Sequence, residues 1–252
     1  MAHHLSGRVA LITGASRRIG AALAAALSAR GMAIAVHHRR STAEAAALVD
    51  SIVEGGGRAR AFAADLADPS QAAPLLAEVR ETLGVPRVLI HNASRYEPID
   101  LAGSTPEQVR RDLAIHVESP LALSRAFAAG LEAEGGEGRI VCLLDWRSSI
   151  PDPSVLPYSI AKSGLHSMLR NLAVALGPRI TVNGVAPGAV LPAAREEGPS
   201  ETEEDLDRRA EGLPIDRPGR VADVVEACCF FIDGAGYTTG AVLPVDGGRH
   251  LL

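Results

Sequence analysis

The chain has 252 residues, 47% hydrophobic and 22% charged, with a formal net charge of −5. That apolar content excludes disorder, and no apolar run reaches the ~18 residues a membrane helix needs. The mild acidity argues against a nucleic-acid surface. Three cysteines, Cys142 and the adjacent Cys228 and Cys229, form neither a disulfide framework nor a zinc spacing, so no metal is expected. The first residues carry no basic segment followed by an apolar one, and a cytoplasmic location is expected. Of the 25 basic residues only Lys162 is lysine. A coding bias toward arginine accounts for the ratio; a lysine that survives such a bias stands where a compact ammonium serves and a planar guanidinium does not.

Short aliphatic runs alternate with Ala/Leu-rich segments along the chain. Arg8–Thr13 predicts a strand and Arg17–Arg30 a helix. Met32–His37 predicts a second strand, followed by a helix over Thr42–Glu54 that Gly55-Gly56-Gly57 stops. Ala59–Ala63 is a third strand, then a helix from Pro69 to Leu83, then a strand at Arg87–His91. Pro106–Glu134 reads as mostly helix, with Pro120 bending or interrupting it. Arg139–Leu144 is a strand, Val155–Leu176 a helix, Arg179–Val185 a strand, Val221–Ile232 a helix and Ala241–Val245 a last strand. Strands alternating with helices predict an α/β fold: one domain over residues 1–252, a doubly wound parallel sheet with helices on both faces. The stretch Arg195–Gly212, with eight acidic residues, three arginines and two glycines, is either a solvated surface loop or part of a lid spanning roughly 190–214.

Thr13-Gly14-Ala15-Ser16-Arg17-Arg18-Ile19-Gly20 joins the first strand to the first helix. Glycines there permit a tight turn and close approach of the backbone to a pyrophosphate, and the helix N-terminus supplies N–H donors. Gly14, Ser16, Arg17, Arg18, Ile19 and Gly20 are therefore candidate dinucleotide contacts. The second strand ends in His37-His38-Arg39-Arg40-Ser41, with no acid to accept from ribose hydroxyls. His38, Arg39, Arg40 and Ser41, with Arg17 nearby, suit a 2′-phosphate, so NADP(H) is favoured over NAD. Asp65-Leu66, after the third strand, is either the adenine edge or a bare loop.

Tyr158-Ser159-Ile160-Ala161-Lys162 sets a tyrosine and the single lysine four residues apart on a helix, so both point the same way. An ammonium beside a phenol is expected to lower the phenol's pKa toward the working range. With Asn92-Ala93, Asn183-Gly184 through Pro187-Gly188, and Val245-Asp246-Gly247-Gly248, these residues make the chain resemble the short-chain dehydrogenases/reductases over essentially its whole length. The resemblance implies a Rossmann-type fold, an NAD(P) cofactor also contacted by Asn92, Ala93, Ser94, Tyr158, Lys162, Pro187, Gly188 and Val190, and a homotetramer.

Four departures from the common family pattern are informative. The glycine before Ile19 is Arg18; the usual Asn-Asn-Ala-Gly is His91-Asn92-Ala93-Ser94; the catalytic serine thirteen residues before the tyrosine is Asp145; and the helix asparagine of the proton relay is His116. Together they resemble the pteridine reductase branch, and within it the bacterial dihydromonapterin reductases. An Asp beside a Tyr shares and passes a proton more readily than a Ser does. The resemblance makes Asp145, Tyr158 and Lys162 catalytic, with Tyr96 stacking on a flat pterin, and Arg18 and Ser94 either meeting its polar edge or bridging it to the cofactor phosphates. Trp146 either lines the pocket or packs in the core. The expected reaction is NADPH-dependent reduction of a dihydropterin C=N bond, with 7,8-dihydromonapterin the leading substrate and dihydrofolate a further candidate. The alternatives are a carbonyl reductase, such as one acting on 3-oxoacyl thioesters, and a non-catalytic NADP(H)-binding module.

Overall fold

The five inner strands are buried almost throughout, while the two edge strands are largely open to solvent. Aliphatic runs tolerate burial on both sheet faces, which is the condition of a parallel sheet covered by helices. The computed structural model describes residues 5–192 and 200–252. Seven parallel strands form one sheet: β1 (Val9–Ile12), β2 (Ala33–His38), β3 (Arg58–Ala63), β4 (Pro86–His91), β5 (Gly138–Leu143), β6 (Ile180–Pro187) and β7 (Val242–Val245), in the order β3-β2-β1-β4-β5-β6-β7. The chain order reverses between β1 and β4, so their C-terminal ends part and leave a crevice.

The helices are α1 (Arg18–Ser28), α2 (Thr42–Glu54), α3 (Ala72–Leu83), α4 (Pro106–Leu113), α5 (Ser119–Glu134), α6 (Leu156–Leu176), α7 (Glu203–Ala210) and α8 (Val221–Cys229). Strand side chains alternate between two cores. Val9 and Leu11 of β1 pack with Leu75, Phe127 and Leu165 of α3, α5 and α6. Ala10 and Ile12 pack with Leu23, Ile52 and Val224 of α1, α2 and α8. Among the described residues no helix is long and apolar enough to cross a membrane.

Two expectations are corrected, and the interruption expected near Pro120 is found: a π turn over Ala114–Glu118 separates α4 from α5, and Pro120 stands at the start of α5. The wider turn takes up the chain where the proline ring would otherwise meet the preceding carbonyls. The predicted helix at Val221–Ile232 likewise ends at Cys229 and continues as a π turn over Phe230–Gly234. The acidic stretch is not all loop, because Glu203–Ala210 is helical. Its sequence signal is Thr202-x-x-Asp205, a reciprocal capping box with Glu203, Glu204 and Asp205 in the first turn and Arg208 and Arg209 in the last, charges that suit the helix dipole. Residues 193–199 of the proposed 190–214 lid lie outside the described residues.

Candidate active site

The turn after β1 is tied to the turn after β4 by Thr13 and Asn92. The Thr13 hydroxyl donates to the Ile90 carbonyl (3.1 Å) and accepts from the Asn92 and Ala93 N–H groups (2.9 Å each). The Asn92 amide donates to the carbonyls of Thr13 (2.8 Å) and Gly14 (2.9 Å). This packing leaves no room for side chains. A Cβ on Gly14, whose φ is +62°, would lie 2.9 Å from Ala93 Cα; one on Gly20 would lie 2.4 Å from the Gly14 carbonyl oxygen. Arg18 has φ +58°, the left-handed region that favours glycine. Holding it there costs about 1–2 kcal/mol, and its guanidinium donates to the Pro192 carbonyl across the crevice. Burial, with Arg17 beside it, lowers the Arg18 pKa. At the N-terminus of α1 the N-cap Arg17 makes no side-chain cap, so the first-turn N–H groups face the crevice as anion donors.

At the end of β2, strand alternation separates the two histidines. His37 faces the crevice: its Nδ1 accepts from the Gly14 N–H (3.0 Å) and its Nε2 donates to the Ala64 carbonyl (3.1 Å). Burial lowers its pKa to about 4, so it stands neutral and braces the glycine turn. His38 is buried on the other face and does not line the crevice. Arg39, Arg40 and Ser41 do line it, and Ser41 occupies the N-cap of α2 without spending its hydroxyl on a cap. Asp65 lines the crevice while its Oδ1 accepts from the Ala67 N–H (3.0 Å).

The opposite end is built on the loops after β4 and β5 and the start of α6. The Tyr158 hydroxyl donates to Asp145 Oδ2 (3.1 Å). Asp145 Oδ1 accepts from the Arg147 backbone N–H (2.9 Å) and from its guanidinium (3.3 Å). Arg147 is buried and also donates to Asp152 (2.6 Å); burial opposes its charge, but Asp145 and Asp152 prevail and raise its pKa. The Tyr96 ring meets the Tyr158 ring edge-on at 5.2 Å, with the Arg147 guanidinium 5.6 Å from the Tyr96 centroid. Lys162 Nζ donates to the Leu143 carbonyl (2.7 Å) and lies 5.6 Å from the Tyr158 ring centroid. Burial lowers the Lys162 pKa to about 8. The expected lowering of the Tyr158 pKa is corrected here. Burial and the adjacent Asp145 push it well above its ordinary value, outweighing the opposing pull of Arg147, so the phenol is held as a proton donor.

One cavity of about 650 Å³ joins both ends. Of the catalytic, cofactor and substrate contacts expected from the sequence, all line it except His38 and Trp146. Trp146 stands behind the wall, with the guanidinium of Arg147 4.5 Å and that of Arg249 5.2 Å from its ring centroid. The sequence reading missed His37, Arg95, Arg147 and Arg209, which also line the cavity. Strand alternation puts one of positions 37 and 38 on the crevice side without saying which; Arg147 and Arg209 carried no motif. His91, a departure from the family pattern, turns away and pairs with Ser124 (2.9 Å), so it supports α5 rather than the site. Asn183 ties β6 to the loop before β7 through Thr238 (2.8 Å) and Ala241 (3.1 Å). Gly188 meets Asp246 at a distance that a Cβ would close to 2.7 Å.

These residues fit a phosphorylated dinucleotide. The glycine turn admits a backbone-hugging pyrophosphate that any Cβ would displace, and two arginines with a serine replace the acid that an unphosphorylated ribose calls for. Comparison with known proteins agrees. A family profile described as enoyl-(acyl carrier protein) reductase matches residues 14–250. Versicolorin reductase 1 of Aspergillus parasiticus is 34% identical, over 98% of this chain and 97% of its own. Among solved structures, FolM alternative dihydrofolate reductase 1 from Brucella canis, complexed with NADP, superposes with a TM-score of 0.91 at 30% identity, covering 98% of this chain and 96% of that one. A blue fluorescent protein from a metagenomic library, in complex with NADPH, gives 0.86 at 33% identity, covering 98% and 99%.

Proposed function

Because the chain belongs to the short-chain dehydrogenase/reductase family, we propose that it is an NADPH-dependent pteridine reductase that reduces the C=N bond of a dihydropterin, with 7,8-dihydromonapterin the leading substrate. The observation that carries this reading is the Asp145–Tyr158 pair at 3.1 Å, where the common family pattern has a serine. A serine hydroxyl suits a carbonyl oxygen, whereas a carboxyl pairs with the N–H groups of a pterin edge. The likeness to the Brucella dihydrofolate reductase supports the same class.

Bound NADPH supplies the hydride to the ring carbon. The protein supplies the proton: Tyr158 holds it on a buried phenol whose O–H points to Asp145 in the structure and turns to the substrate nitrogen to deliver it. As Tyr158 gives its proton to the ring nitrogen, Lys162 and Arg147 stand close enough to offset the phenolate charge. Lys162, anchored on Leu143, also holds the cofactor ribose in this reading. Tyr96, half-buried beside Tyr158, offers the aromatic face against which a flat ring packs. The same reading carries a homotetramer, which sedimentation equilibrium would register as four chains.

A second reading, a carbonyl reductase, draws on the 34% identity with versicolorin reductase. NADPH oxidation at 340 nm with dihydromonapterin, dihydrobiopterin, dihydrofolate and a 3-oxoacyl thioester separates the two. Turnover of the pterins alone supports the first; turnover of the thioester alone replaces it with the second.

A further inference from the structure

His116 lies on the π turn between α4 and α5, fully enclosed, and does not itself line the cavity. Both of its ring nitrogens are engaged. Nδ1 is 2.9 Å from the backbone carbonyl oxygen of Asp112, and Nε2 is 3.0 Å from Ser94 Oγ. A carbonyl oxygen only accepts, so Nδ1 carries the hydrogen. Burial, with the charges of Lys162 and Arg95 nearby, holds the ring neutral, so it carries only that one. Nε2 is then a bare lone pair, and the Ser94 hydroxyl has to donate to it. Ser94 also stands close to the Tyr158 hydroxyl, where a donating Ser94 would lower the Tyr158 pKa, and the edge of the His116 ring packs 5.4 Å from the Tyr158 ring.

We propose that His116 is a positioning residue: its Nε2 takes the hydroxyl hydrogen of Ser94, so Ser94 meets Tyr158 only as an acceptor and cannot stabilise a phenolate. Tyr158 thus faces two acceptors, Asp145 and Ser94. The charged groups around it are Asp145 and Arg147 from the loop after β5 and Lys162 from its own helix; Arg95 and Asp112 stand behind His116. None of them supplies the hydrogen bond that His116 withdraws. The proposal rests on the reductase reading only for the direction in which the proton moves. The hydrogen-bond pattern itself is independent of substrate, so a failed pterin assay leaves it standing and testable.

The first test is the 15N histidine spectrum of the wild-type protein. A protonated Nδ1 and a bare Nε2 are expected at His116; the opposite tautomer overturns the proposal. The second is titration of the three tyrosines by 13Cζ NMR, with Tyr96→Phe and Tyr237→Phe assigning the signals. In His116→Leu the freed Ser94 hydroxyl turns to Tyr158, and the Tyr158 midpoint is expected to fall by about one to two pH units. His116→Gln, which keeps an acceptor facing Ser94, should hold the wild-type midpoint, and Ser94→Ala/His116→Leu should restore it. A role in packing alone would lower stability without moving the midpoint. A His116→Leu phenol that stays protonated as far as the wild-type one overturns the proposal; if that variant does not fold, the wild-type tautomer decides.

Discussion

Replacing Gly20 by alanine tests the cradle directly, because two effects of opposite sign compete there. Alanine is the better helix former, and Gly20 lies in α1, so in open space the change would stabilise by about 1 kcal/mol. The site is not open. The new Cβ would lie 2.4 Å from the Gly14 carbonyl oxygen, 2.7 Å from Asn92 Nδ2 and 2.8 Å from Ala15 Cα. Two of these are backbone atoms, and the third belongs to the amide that ties the β1 turn to the β4 turn. Overpacking of this kind costs about 1–3 kcal/mol, and a broken Asn92 hydrogen bond adds about 1. The cost wins by about 2 kcal/mol. Urea unfolding without cofactor should show that loss, and NADPH affinity measured by fluorescence should fall about tenfold or more as the turn opens. Gly234→Ala is the matched control, since nothing lies within 4 Å of its Cβ position. A Gly20→Ala protein as stable as wild type, with unchanged NADPH affinity, would refute the steric account of the turn.

Arg39→Ala and Arg40→Ala should each weaken NADPH binding about 10- to 100-fold and leave NADH binding nearly unchanged, read from paired dissociation constants. Tyr158→Phe removes the proton donor and should cut turnover by about 100-fold or more, with NADPH affinity little altered; equal turnover would remove Tyr158 from the chemistry. Acid should unfold the protein early. The buried His37 and His91 have folded-state pKa values lowered from 6.5 to about 4 and about 3, so the unfolded chain binds protons that the folded one refuses. Their contribution is complete above pH 6.5 and is lost as the pH falls toward 4, by about 3 kcal/mol for His37 alone. Chemical denaturation at pH 7 and pH 5 measures the slope; stability that does not fall over this window contradicts the burial argument.

Much of this protein was legible without coordinates, because the signals are local. Aliphatic runs of strand length, glycine stops and helical segments dictate the βα order, and Thr42–Glu54 matches its helix to the residue. Gly14, Gly20, Tyr158 and Lys162 stand where short-range geometry needs those residue types. What depended on the third dimension was less visible. A one-residue choice on β2 sends His37 into the crevice and His38 away from it, and only the packing of the sheet decides which face is which. Arg147 was one arginine among 24 until the fold folded it back under Tyr96 and against Asp145. Ser94 and His116 are 22 residues apart and meet only in the folded chain, with His116 on a π turn. The Tyr158 pKa was misjudged from sequence for the same reason. The Tyr-x-x-x-Lys spacing reveals the ammonium, but the desolvation that raises the phenol's pKa is a sum over neighbours drawn from the whole chain.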